Sequence, residues 1–354
     1  MIDFLYQILI LKQQYVLGTI FSELVLAIIC VTWIKSYGKK YSQVQKIHVK
    51  ETSRLGGSII LCSIFIPIFF FDYPILALTT NYFLLFTPIA VVTIFEDLHL
   101  HLNPIIRLAA MFFSCFLLLF VLDFKLPDFD IVYLDLILNN SNFKIMVFIF
   151  FIIAMMNGAN FIDGANGLLF ISFLTSMVAL MFISFKVNDL ILCQQLAMIA
   201  IPFLIILLIN YPFGLIFLGD LGAYLSGWIL GIFSLILFSN HPELTTWSVI
   251  LICFYPLAEV IFSVIRKVYN RKSPFLPDEL HLHLKLFFFL KKSLKNQAKV
   301  ANNLIMPFLT FFWFAPPTIG VMTIKNINMT LCSILFFSVM YLLFYKFIPK
   351  SVKS

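Results

Sequence analysis

The chain has 354 residues, 62% of them hydrophobic and only 12% charged, with a mean hydropathy of +1.02 and a formal net charge of +7. That composition excludes a soluble domain and leaves a multi-pass membrane protein. Six cysteines (Cys30, Cys62, Cys115, Cys193, Cys253, Cys332) lie scattered inside apolar runs with no CxxC spacing, so neither a disulfide framework nor a metal site is indicated.

Apolar runs near the length needed to cross a bilayer fall at 15–34, 57–73, 76–95, 104–122, 143–160, 167–185, 190–209, 221–239, 246–266, 301–322 and 328–348. The expectation is an all-α, polytopic membrane protein of ten or eleven helices in a single domain over 1–354. The first run carries no small-residue cleavage site and reads as a retained helix. Cytoplasmic loops are expected at 35–56, 95–104, 157–167, 210–220 and 267–300. Placing the N-terminus outside and the C-terminus in the cytoplasm puts nineteen Lys and Arg residues inside against five outside, a clear positive-inside bias. The same placement gathers Glu96, Asp97, Asp163, Asp220 and several histidines on the cytoplasmic face. A transporter is expected to carry such groups mid-helix, where only Glu23 and Glu259 stand.

Five polar stretches follow in chain order. His48-Val-Lys50 to Gly56-Gly57 lies in a basic loop, and its glycine pair before a helix could admit a phosphate; alone the signal is weak. Glu96-Asp97 closes a span, where two carboxylates suit a hard cation or general-base chemistry, against the plainer reading of an interfacial anchor. Asn157-Gly-Ala-Asn160-Phe-Ile-Asp163-Gly-Ala-Asn166-Gly-Leu168 joins two strongly apolar runs. It is either a tight turn or a wall of a site, because an Asp in hydrocarbon costs on the order of 3 kcal/mol. Asn210 to Tyr224 sets Asp220 between glycines, with Phe217 offering a ring and Asn210 an amide; the alternatives are lipid contact for Phe217 and a helix cap for Asp220. Asp278-Glu279-Leu280-His281-Leu282-His283 spaces its histidines two apart, which argues against a helical zinc pair and suits phosphate contact.

Together these stretches resemble the polyprenyl-phosphate N-acetylhexosamine-1-phosphate transferases, relatives of the phospho-MurNAc-pentapeptide translocase, in the branch that initiates surface polysaccharides. The most specific parts are NxxNxxDGxxGL at 157–168 and NxPxxxxFxGDxGAY at 210–224. The resemblance implies transfer of a sugar 1-phosphate from a UDP-N-acetylhexosamine to undecaprenyl phosphate, with release of UMP and dependence on Mg²⁺ (or Mn²⁺ in its place). The reaction would sit at the cytoplasmic face of a bacterial inner membrane as the first membrane step of O-antigen or another envelope polysaccharide. It further implies Asp97, Glu96 and Asp163 as catalytic groups and Asp220 with Asp97 as metal ligands. Asn160, Asn166, Asn210, Phe217, Lys50, His281 and His283 are implied as nucleotide or substrate contacts. Partners would be the two substrates and membrane lipid, with no nucleic acid and with a homodimer left open. The chain departs from the family pattern at Glu96 and Asn166, where aspartates are usual, at Gly158 for the usual Ala, at Ala223 for the commoner Ser, and at Leu215 for a frequent lysine. A transporter or lipid flippase, or a non-catalytic member of the family, stands as the alternative.

Overall fold

The computed structural model describes residues 1, 3–4, 6, 12–33, 53–70, 74–97, 102–121, 126–137, 141–274 and 280–349; Lys50, His48, His99, His101, Asp278 and Glu279 lie outside them. Long apolar runs bonded only to themselves are the cheapest way to bring backbone into hydrocarbon, since every N–H and C=O is then paired inside its own segment. The described residues accordingly form helices α1 (Gln13–Trp33), α2 (Gly56–Phe70), α3 (Pro74–Leu85), α4 (Thr87–Asp97), α5 (Pro104–Val121), α6 (Val132–Ile137), α7 (Ser141–Ile162), α8 (Leu168–Lys186) and α9 (Leu190–Asn210). The series continues with α10 (Gly219–Asn240), α11 (Ser248–Ile252), α12 (Phe254–Tyr269), α13 (Leu282–Ser293), α14 (Ala298–Phe308), α15 (Thr310–Trp313), α16 (Ala315–Thr323) and α17 (Ile327–Phe347). Among the described residues there is no strand, only an isolated parallel bridge between Ser53 and Ile216.

Six helices, α1, α7, α8, α9, α10 and α17, are each long and apolar enough to cross a membrane, and the bent run from Ala298 to Thr323, with 42° between its halves, makes a seventh. The other spans expected from sequence are shorter or interrupted. α3 and α4 are separated at Phe86, and α11 and α12 at Cys253. Proline explains the interruptions. It lacks an N–H and crowds the preceding turn, so it settles in the first turn of a new helix; Pro88, Pro256, Pro316 and Pro317 each lie there. All eleven apolar runs therefore fall on one helix or on one broken helix, and α6 and α13 are additions between them.

α10 is the hub. It packs against α2, α4, α7 and α8, and 94% of its apolar window is buried, against 17% for α17 at the periphery. Three hydroxyls in the core are satisfied within their own helices: Ser63 donates to the Ile59 carbonyl at 2.7 Å, Thr93 to Ile89 at 2.9 Å and Ser184 to Leu180 at 2.9 Å. At one end of the bundle the connections are knitted together: the Trp247 indole N–H donates to the Phe129 carbonyl at 2.6 Å and the Thr246 hydroxyl to the Asp128 carbonyl at 2.7 Å. At the other end, the N-terminus of α10 meets the polar stretches singled out above.

Candidate functional site

The site is built on the start of α10. The first N–H groups of a helix have no partner within it, and Leu218, at the cap position, supplies no side-chain bond. Asp97, the last residue of α4, supplies it from another element: its carboxylate accepts from the Asp220 N–H at 2.9 Å and the Leu221 N–H at 3.0 Å. Two N–H groups and the positive end of the helix hold the anion in one orientation. Gly219 makes the approach possible. Its φ is +70°, and a Cβ there would stand 2.1 Å from the Arg54 carbonyl oxygen and 2.7 Å from an Asp97 carboxylate oxygen.

Asp220 lies in the first turn of the same helix, and its Oδ1 accepts from Asn160 Nδ2 and Arg54 Nη2, both at 2.9 Å. Asn160 is near the end of α7. Three residues on, Asp163 takes a hydrogen bond from the Gly219 backbone and lies in the field of Asp97, Asp220 and Arg54. Burial, with the neighbouring Asp220 and Asp97 charges, holds the Asp163 carboxyl well above the usual carboxylate range, and Arg54 opposes the shift. For Arg54, burial works against the charge, but Asp220, Asp97 and Asp163 outweigh it and its pKa is raised. Four segments thus converge: 53–57, the end of α4, the α7–α8 turn and the start of α10.

Arg54 was not among the site residues expected from sequence. The signal was the weak glycine-pair stretch, and what places it is backbone pairing. Phe217 N–H donates to the Ser53 carbonyl at 2.9 Å, Gly56 N–H to the Phe217 carbonyl at 2.9 Å, and Gly57 N–H to the Leu218 carbonyl at 2.8 Å. This short ladder lays residues 53–57 along 216–218.

Several expected residues stand differently from the sequence reading. Glu96 turns away from the carboxylates to an ion pair with Arg107 at 3.1 Å, because neighbours on a helix point to different sides. Asn157 bonds the Ile153 carbonyl in its own helix at 2.9 Å and does not reach the acidic cluster. Asn210 is fully buried: its Oδ1 accepts from Gly167 N–H and its Nδ2 donates to the Ile216 carbonyl, each at 2.6 Å. In this structure its amide ties the two signature stretches together and is not presented to a ligand. The Phe217 ring is 3% exposed, so it is a core side chain and no open stacking surface. Asn166 is held by α14, its N–H donating to Asn302 Oδ1 at 2.9 Å and its Nδ2 to Asn303 Oδ1 at 2.7 Å, while its own Oδ1 is buried without a partner.

His281 and His283 form an adjoining buried cluster. Their rings lie 5.8 Å apart and nearly parallel, with Phe161 at 4.7 Å from His281. Glu259 organises them: its carboxylate meets His281 Nδ1 at 3.1 Å and accepts from the Leu282 N–H at 3.1 Å and the Tyr255 hydroxyl at 3.2 Å. The second nitrogen of each ring that this leaves, Nε2 of His281, and Nδ1 of His283 are buried without partners, and His283 Nε2 abuts Gly164, next to Asp163. Burial pushes the His283 pKa down to about 4, with Glu259 opposing and His281 adding to the shift. Among the described residues no group of three His, Cys, Asp or Glu side chains is arranged to hold a metal ion.

Residues 79–238 match the glycosyl transferase family 4 profile. An undecaprenyl-phosphate alpha-N-acetylglucosaminyl 1-phosphate transferase of Thermotoga maritima is 32% identical over 136 residues, 38% of this chain and 40% of that protein. A probable undecaprenyl-phosphate N-acetylglucosaminyl 1-phosphate transferase of Bacillus subtilis is 31% identical over 147 residues, 40% of each. A phospho-N-acetylmuramoyl-pentapeptide-transferase of Dictyoglomus thermophilum is 25% identical over 254 residues, 72% of this chain and 80% of that protein. The chain spans about two fifths of the length of the first two relatives. The profile match takes in Asp97, Asn160, Asp163 and Asp220, the residues that meet at the head of α10, so the part of the chain that carries the acidic cluster is the part similar to glycosyl transferase family 4.

Proposed function

We propose that the protein transfers an N-acetylhexosamine 1-phosphate from a UDP-sugar to undecaprenyl phosphate and releases UMP, as the first membrane step of a surface polysaccharide. The observation that carries this reading is the convergence of Asp97, Asp163, Asp220 and Arg54 at one end of an apolar bundle. Such a cluster can engage a polar, highly charged donor while the flanking helices receive a lipid. The names of the three relatives, all sugar- or muramoyl-phosphate transferases, support the same reaction class. The positive-inside count supports a reaction on the cytoplasmic side of the membrane.

In this proposal an oxygen of the lipid phosphate attacks the β-phosphorus of the donor. The bond from that phosphorus to the bridging oxygen breaks, and UMP leaves with the electron pair. Asp97, fixed by two backbone N–H groups, takes any proton that the lipid phosphate carries. Asp163, a half-buried carboxyl held well above the usual carboxylate range by desolvation and by the Asp220 and Asp97 charges, is able to hold a proton beside it.

The oxygens of Asp97, Asp163 and Asp220 are the hard donors that Mg²⁺ or Mn²⁺ takes, although the three side chains are not gathered here into a ready ligand set. Asp220 and Asp97, with Asp163 beside them, are the residues that would hold it. A bound Mg²⁺ would neutralise charge on the donor diphosphate and on departing UMP.

The test is UMP release by purified protein supplied with undecaprenyl phosphate, Mg²⁺ and UDP-GlcNAc or UDP-GalNAc. The expected result is turnover that EDTA removes and that falls by about 100-fold or more in Asp97→Asn and Asp220→Asn. No release with any UDP-N-acetylhexosamine, or equal rates in the variants, counts against the proposal. Flux of a lipid or solute across proteoliposomes without UMP formation would favour the transporter reading.

A further inference from the structure

A second concave feature lies away from the acidic cluster. Between α8, α9 and α16 runs a groove of about 790 Å³, inside the range of about 300–1,000 Å³ that sites for small organic ligands occupy. α8 is its floor, packed against both α9 and α16. Val178 and Phe182 line it from α8, Ala200 and Leu204 from α9, and Pro317 and Val321 from α16. The two threonines in the lining turn their hydroxyls onto backbone: Thr175 Oγ1 donates to the Ile171 carbonyl at 2.8 Å and Thr318 Oγ1 to the Phe314 carbonyl at 2.9 Å. An occupant therefore meets walls of hydrocarbon.

Among the described residues of the lining, Lys186 alone is charged. It ends α8, at the far end of that helix from the 157–168 stretch. Its Nζ stands 4.6 Å from the centre of the Phe182 ring, which sets the ammonium at the mouth of the groove. The acid nearest in sequence, Asp189, is engaged elsewhere: its carboxylate accepts from the Leu192 N–H at 3.0 Å and meets His241 Nε2 at 3.4 Å. Along α8 the lining runs from Ile171 to Lys186, a length of about 22 Å. That is most of a hydrocarbon core of about 30 Å, so a chain headed at Lys186 is cradled along its length.

We propose that this groove binds an anionic phospholipid, with the phosphate at Lys186 and one acyl chain laid along α8 between α9 and α16. A lysine stem lies along apolar surface while its ammonium meets the headgroup, which suits both ends of such a ligand. The lipid braces α16, the outer half of the bent Ala298–Thr323 run, whose other half, α14, holds Asn166. This inference does not depend on the transferase reading.

The test is lipid binding by the full-length protein in detergent, titrated with phosphatidylglycerol or phosphatidylcholine of equal chain length and read by native mass spectrometry. Wild type is expected to bind phosphatidylglycerol about fivefold tighter, the size of one lysine's attraction to an anionic headgroup. Lys186→Gln is expected to bind the two lipids alike, and Lys186→Arg to keep the preference. Val178→Trp fills the groove and is expected to weaken both lipids by about tenfold or more. Should that variant not fold, Leu204→Trp makes the same test from the opposite wall. Equal affinity of wild type for the two lipids, or a preference kept in Lys186→Gln, would overturn the site. Displacement of phosphatidylglycerol by equimolar undecaprenyl phosphate would overturn it in favour of a prenyl lipid. A wild-type dimer that Val178→Trp converts to monomer would overturn it in favour of a second copy.

Discussion

Asp97 and Glu96 are neighbours that serve different partners. Asp97 closes the head of α10, while Glu96 binds Arg107. A glutamate where the family usually has aspartate is thereby accounted for in part, since the longer side chain reaches across to α5. Asn166 is a second such position. With an amide in place of a carboxylate it can donate to Asn303, which a carboxylate cannot do. At the histidine cluster the pH dependence has a definite sign. His283 titrates near 4 in the fold because burial disfavours its charged form, whereas an exposed histidine titrates near ~6.5. Between those values the unfolded chain binds more protons than the fold, so stability rises with pH through this window and levels above it. Thermal unfolding in detergent should therefore show a midpoint that climbs from pH 4 to 6.5, and His283→Gln should flatten that climb relative to wild type. An identical pH profile in the variant would remove the buried histidine from the account.

At the scale of elements, the positions of the helices follow from apolar runs and proline, whereas the contacts between them follow from small residues. Lipid is as apolar as a leucine side chain, so helices in a bilayer gain by close approach of their backbones and not by hiding from water. Gly158 is such a point. A Cβ there would stand 2.3 Å from the Pro256 carbonyl oxygen, backbone of α12, which explains why this chain carries glycine at a position where the family usually has alanine. Gly158→Ala should force α7 and α12 apart and lower stability by about 1–3 kcal/mol, readable as a lower thermal midpoint in detergent. An unchanged midpoint would mean that the two helices are free to separate. The α7–α12 contact was not legible in sequence, because nothing local to Gly158 points a hundred residues ahead.

For the whole molecule, the eleven apolar runs were readable because each is bounded by polar or proline-containing segments, whereas only six of the resulting helices, or seven with the bent Ala298–Thr323 run, are long and apolar enough to span. The acidic cluster was readable in its members for the same reason: aspartates between apolar runs have few places to go. What remained hidden was direction. Asn210 and Phe217 look like ligand contacts in sequence, whereas the fold buries both, with Asn210 bonded to Gly167 N–H and the Ile216 carbonyl. Arg54 escaped for the complementary reason, since its partner Asp220 is 166 residues away. Orientation in the membrane rests on charge, nineteen Lys and Arg against five. A reporter active only outside the membrane should be active when inserted in the 126–137 segment and silent after residue 270. The reverse pattern would invert the protein and move the acidic pocket to the outer face.

The central claim is that phosphorus travels with the sugar, and a donor labelled at its β-phosphorus tests it most directly. With undecaprenyl phosphate and Mg²⁺, the label is predicted to appear in a lipid-diphosphate-sugar product made by wild type and not by Asp220→Asn. Label that stays in UDP while the lipid gains sugar would mean glycosyl transfer without phosphate, and would contradict the account.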